Sequence, residues 1–249
     1  MASAAGTATR LDRRTLAVLA AIGALTAIAW ADLAWMAADP ATMVAPPTWT
    51  PGYAAAMFAM WAVMMAAMMV PSAAPTLFLF AALRRHAGGP AARDTALFVA
   101  GYVLAWTAFS VAATGAQWAL ATTSLLDDAM SSEGPRLAGA LFLVAGLYQF
   151  SPLKGACLAH CRVPARFLVE HRRGGAWGSL AMGLEHGTYC VGCCAALMAL
   201  LFALGVMNLL WVVALSLFVL AEKILPWGRA FGRISGIALI ACGFAFFLF

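Results

Sequence analysis

Apolar runs of bilayer-spanning length, separated by short polar stretches, set the pattern of this chain. The first covers residues 16–36 and is interrupted only by Asp32 near its end. At helical rise it reaches roughly 30 Å, the thickness of a hydrocarbon core. Its basic start has the shape of a signal peptide, but no small-residue cleavage site stands out, so an uncleaved helix is expected. A second run, 53–83, is long and broken near VPSAAP, at Pro71 and Pro75. Further runs cover 95–121, 137–153, which is short and ends at Pro152, and 230–249. The run 177–221 has 45 residues, too many for one crossing. The stretch 205–208, with Gly205 and Asn208, supplies the turn that divides it. The pattern predicts an all-α polytopic transmembrane helix bundle of about seven helices, a single domain over 1–249.

Composition agrees with the pattern. The 249 residues are 64% hydrophobic and only 10% charged, where a soluble domain carries about 25% charged residues. Mean hydropathy is +0.90. The net charge of +5 therefore marks membrane sidedness and gives no reason to expect nucleic acid as a partner; the partner implied is membrane lipid.

The charges also give an orientation. With the N-terminus inside, the inner segments hold Arg10, Arg13 and Arg14 in a short tail (1–14), then Arg84, Arg85 and Arg93. An inner loop (154–175) holds Lys154, Arg162, Arg166, Arg172 and Arg173, and Lys223, Arg229 and Arg233 follow. Of the 15 basic residues only Arg136 falls outside, whereas Asp32, Asp39, Asp127, Asp128 and Glu133 sit on the outer side. Seven helices with the N-terminus in and the C-terminus out satisfy this bias.

The chemistry concentrates in GLEHGTYCVGCC, residues 183–194. His186, Cys190, Cys193 and Cys194 stand at i, i+4, i+7 and i+8, one face of a helix. Met182 extends the stripe one turn back and Met198 one turn forward. Thiolates, thioethers and imidazoles together favour soft metals such as Cu(I), and Zn(II) also fits a Cys/His cluster. A single buried Cys would read as a small hydrophobe; three in five residues beside a His and a Glu ask for more. Counting back from the turn at 205–208 sets Glu222 and Lys223 level with Cys190. Glu185, His186, Glu222 and Lys223 are then expected to form one polar cluster in the inner part of the membrane, although the Glu222–Lys223 pair could instead seal a helix end.

Two further groups are candidates. Met57, Met60, Met64 and Met68 form a stripe, with Met65 and Met69 beside it. Thioethers suit Cu(I), yet methionine is also an ordinary gap-filler in apolar helices. Pro71 and Pro75 then free backbone carbonyls that must be buried or face a cavity. In the inner loop, Cys157 and Cys161, with His160 between them, could clamp a metal or form a redox dithiol; the spacing decides neither. No outer loop carries a cysteine. His86 and His171 lie among arginines and read as surface residues.

MMAAMMVPSAAP, YQFSPLKGACLAHCR and MGLEHGTYCVGCCAALMALLFALGVMNLLW with its following AEKILP resemble the predicted metal-binding integral membrane proteins. That family includes bacterial membrane copper chaperones associated with tyrosinase-type copper enzymes. The likeness runs from about Tyr53 to the C-terminus. It lands on Met64, Met65, Met68 and Met69, on Cys157 and Cys161, on His186, Cys190, Cys193 and Cys194, and on Glu222 and Lys223. Ala195 replaces a Trp common in the family. The resemblance implies copper handling in a bacterial inner (cell) membrane, with a copper-accepting enzyme or periplasmic metallochaperone as partner.

Three readings compete. The first is a Cu(I)-binding chaperone or transporter that passes ions along the Met60, Met64, Met65, Met68, Met69 row and the His/Cys stripe, with Met182 and Glu185 in support. The second is an enzyme, a membrane thiol–disulfide oxidoreductase, which needs a disulfide partner outside; the cysteine-free outer loops count against it. The third is a structural membrane subunit, and a homo-oligomer is compatible with each. No Gly-x4-Gly-Lys-Ser/Thr stretch exists, so ATP-driven transport is not expected.

Overall fold

Helices account for nearly all of the residues that the computed structural model describes, 13–38, 48–126 and 130–248. Arg10, Asp39, Asp127, Asp128, Phe249 and the Arg14 side chain lie outside them. The elements are α1 (Arg13–Ala38), α2 (Pro51–Ser72), α3 (Ala74–His86), α4 (Ala91–Thr122), α5 (Pro135–Tyr148), α6 (Pro152–Arg162), α7 (Pro164–Glu170), α8 (Gly175–Ala199), α9 (Leu201–Leu204), α10 (Leu209–Ile224) and α11 (Gly228–Leu248). No strand occurs among the described residues.

Five helical stretches are long and apolar enough to cross a membrane: Thr15–Ala38, Pro51–Ser72, Ala91–Thr122, Gly175–Leu204 and Gly228–Leu248. The α5–α6 pair has the composition of a sixth but bends by 66° at its break. α10 has only 16 residues. Residues 205–208 do form the turn between α9 and α10, with Gly205 at φ +92°, a backbone setting open to glycine at no steric cost.

The break at VPSAAP has a specific structure. Pro71 has no N–H, which orphans the Ala67 carbonyl four residues back. Trp30 of α1 donates its Nε1–H to that carbonyl at 3.0 Å. The Ala73 N–H turns to Val70 and Pro71, so the Met69 carbonyl also loses its helical donor. The hydroxyls of Ser72 and Tyr102 take it, at 2.8 and 2.9 Å. Helix α3 then resumes, with Pro75 in its first turn where a missing N–H costs nothing.

Two ends of the bundle can be recognised from contacts. At one, Arg84 and His86 share a cavity wall with Arg172 and Arg173, and Arg162 donates to the Leu225 and Pro226 carbonyls. The α3–α4, α6–α8 and α10–α11 connections therefore gather there. At the other, the Val206 N–H meets the Met130 carbonyl, so the α4–α5 and α9–α10 connections meet.

α8 packs along α4 and α6, and α5 along α11. Glycines allow the closest approaches: a Cβ on Gly187 would lie 2.6 Å from that of Ala105, and one on Gly146 would lie 2.9 Å from the Gly236 carbonyl. Small residues at such crossings let apolar helices make their van der Waals contacts.

Candidate metal centre

α8 presents its predicted stripe to the interior. Met182, His186, Cys190, Cys193, Cys194 and Met198 are all buried. The sulfurs of Cys190, Cys193 and Cys194 lie within 4.8 Å of one another, a separation that one metal ion can bridge. The Cys193 and Cys194 thiols donate to the Cys190 carbonyl at 3.1 and 2.9 Å. This local bonding is usual for short polar side chains inside a helix, and it folds both sulfurs back toward Cys190.

Four other elements close on this triad. From α2, the Met69 sulfur comes to 3.9 Å from Cys194. From α4, the Tyr102 hydroxyl lies 3.0 Å from the Cys190 sulfur. From α10, Lys223 donates to the Cys190 sulfur at 3.0 Å and to the Ser72 hydroxyl at 2.7 Å. From α6, Cys161 is buried on the face of the helix that packs against α8. The level that chain counting gives Lys223, beside Cys190, is where the structure has it.

Several expectations change. Residues 154–175 are expected as a loop, but α6 and α7 make most of that stretch helical and fold it against α8. Cys157 and Cys161, one helical turn apart, share the face of α6 that packs there. The Cys157 sulfur sits over Gly192, where a Cβ would stand 2.7 Å away. Cys157 and Cys161 are both buried, on a helix packed against the one that carries the cysteine triad. His160 turns elsewhere and stacks on Tyr189 at a centroid distance of 4.0 Å.

The expected cluster of Glu185, His186, Glu222 and Lys223 is divided among four environments, Lys223 being the one beside Cys190. Glu185 pairs with His171 and Arg173, at 3.4 and 3.2 Å. His186 packs among aromatic rings, 5.0 Å from Phe167 and 5.9 Å from Tyr102, and its Nδ1 has no hydrogen-bond partner among the described residues. Glu222 pairs with Lys154, through 3.0 and 2.8 Å contacts. Neighbouring residues on a helix point about 100° apart, so Glu222 and Lys223 serve different sides of α10. His171, expected on the surface, is half-buried against Phe167 and Glu185.

Met60, Met64, Met65, Met68 and Met69 are fully buried on α2. Met57 has another role: with Met130 it accepts from the Gln117 amide, whose oxygen takes the Trp61 N–H. Tyr102 and Ser72 complete the surroundings of the cluster without appearing among the sequence candidates, and Lys154 is the unforeseen partner of Glu222 on the other side of α10. Ser72, a hydroxyl between two prolines in an apolar run, carried the clearest signal of the three.

The family model for the PpoB2 copper chaperones matches residues 58–246. The chain belongs to that copper chaperone family. The match includes every residue of the cysteine cluster and of its ring of partners. No curated protein and no solved structure matches the chain. Membership of a copper chaperone family implies copper handling and sets the chain among proteins that carry metal rather than among enzymes; the buried cysteine cluster is a group that could hold such an ion.

Proposed function

We propose that this protein holds Cu(I) inside a membrane, on Cys190, Cys193 and Cys194, and hands it to a copper enzyme. The observation that carries the reading is the buried triad of sulfurs, with the Met69 sulfur 3.9 Å from Cys194. The triad and Met69 offer sulfur, the donor type that selects Cu(I) over harder ions. Thiolate is the form of cysteine that binds metal, and the Lys223 ammonium offsets negative charge that a single Cu(I) leaves uncompensated. His186, one turn away on the same face with an unpartnered nitrogen, extends the ligand set toward the basic end. Met69 extends it into the row of Met60, Met64, Met65 and Met68. Exchange between two- and three-coordinate sulfur sites lets the ion move without release.

The membrane reading rests on the surface as well as on helix length. Trp177, Leu248, Val169 and Leu210 are each more than 70% exposed, which suits lipid and not water. Seven crossings, with α5–α6 and the short α10 included, put the basic connections at the cytoplasmic face of a bacterial inner membrane. The tyrosinase-type enzyme is proposed as acceptor on the sequence resemblance.

X-ray absorption at the copper edge of the loaded protein tests the ligand set. Two or three sulfurs around copper support it. A shell dominated by nitrogen or oxygen removes the triad from the account.

A further inference from the structure

A cavity of about 430 Å³ opens at the basic end, between the first turns of α6 and α11. Lys154, Arg229 and Arg233 bring three positive charges to its wall, and Glu222 one negative. Glu222 is already held by Lys154. Arg229 and Arg233 are exposed and pair with no carboxylate among the described residues. Two helix N-termini, those of α6 and α11, add positive potential on the same side.

Gln149 is an independent sign of a ligand. It lines the cavity and is only 8% exposed, yet neither its amide nitrogen nor its amide oxygen has a hydrogen-bond partner among the described residues. A buried amide left unpaired on both atoms is costly. Gly232 lets the Glu222 carboxylate pack close beside it: a Cβ there would lie 2.5 Å from Glu222 Oε1 and 3.5 Å from Gln149 Oε1.

We propose that this cavity binds a phosphate group, supplied by the headgroup of an anionic phospholipid. Arg229 and Arg233 pair with the phosphate oxygens, the geometry for which guanidinium is suited. The Gln149 amide donates to the phosphate, and its oxygen accepts from a headgroup hydroxyl. The surplus of positive charge on the wall selects an anion. The site is independent of copper; only its lipid source rests on the membrane reading.

The test compares wild type with Arg229→Gln/Arg233→Gln and with Gln149→Leu. A control, Arg166→Gln/Arg172→Gln, removes equal charge from the same end outside the cavity. Native mass spectrometry counts phosphatidylglycerol and phosphatidylcholine retained from mixed nanodiscs. Thermal midpoints are read against inorganic phosphate, with chloride matching the ionic strength. Wild type and control are expected to retain phosphatidylglycerol in preference, and the arginine variant to lose about tenfold in retention. Gln149→Leu, which deletes an unpaired amide, keeps its thermal midpoint and still retains less. If inorganic phosphate alone raises the midpoint of wild type and not of the arginine variant, the phosphate site stands with a free anion as its source. Equal retention by all four proteins, or no preference for the anionic lipid together with no response to phosphate, overturns the proposal.

Discussion

The ammonium of Lys223 lies 3.0 Å from the sulfur of Cys190, two residues 33 positions apart in the chain. The same ammonium donates to Ser72, whose hydroxyl takes the carbonyl that the α2–α3 break sets free. A proline-induced fault in one helix, a cysteine stripe on a second and a lysine on a third are thus joined at one point. A buried ammonium needs an anion near it, and in the proposed function a copper-bound thiolate would supply it.

Replacing Lys223 by Met removes the charge and keeps the length of the side chain. Cu(I) affinity is expected to fall by about tenfold, or about 1.4 kcal/mol, while the metal-free protein keeps its fold. Competition with a Cu(I) chelator measures the first and a thermal scan the second. Unchanged affinity would remove the ammonium from the binding account.

The two cysteines of α6 are expected to differ. Cys161 is buried one turn further along the face of α6 that packs on α8, whereas Cys157 sits over Gly192. Cys161→Ser should weaken Cu(I) binding by about tenfold or more, and Cys157→Ser by much less. Equal losses in the same chelator assay would mean that the pair acts as one separate site.

Lys154 and Glu222 form a buried ion pair between α6 and α10. Removing one partner leaves an uncompensated charge, at about 3–5 kcal/mol. Lys154→Met should therefore lower the thermal midpoint more than the double variant Lys154→Met/Glu222→Leu does. If the double variant is the less stable of the two, the pair contributes more than mutual compensation.

Tyr102→Phe removes the hydroxyl between the Met69 carbonyl and Cys190. Because Ser72 still donates to that carbonyl, the expected cost is about 1 kcal/mol, a drop of about 2–4 °C in thermal midpoint. A larger fall, with loss of copper, would make Tyr102 part of the binding set.

Much of the architecture was legible because its signals are local. The 3.6-residue period collected His186, Cys190, Cys193 and Cys194 on one face, and the length of the run from Trp177 required the turn at Gly205. Counting from that turn set Lys223 beside Cys190. What could not be read was how helices meet. Residues 154–175 look like a loop because they are short and basic, yet α6 docks its Cys157/Cys161 face on α8 through the space left by Gly192. Glu222 and Lys223, adjacent in sequence, diverge because helix geometry turns them to different neighbours. Tyr102 was one hydroxyl in an apolar run, and only the missing donor for the Met69 carbonyl gives it a role.

The central claim is that the cysteines of α8 hold the copper. Copper content and Cu(I) competition are measured on purified wild type beside a Cys190→Ser, Cys193→Ser, Cys194→Ser variant. Wild type is expected to hold Cu(I) tightly and the variant to lose it, with both proteins folded. If the two bind copper equally, or neither binds it, the buried triad is not the copper site and the account is contradicted.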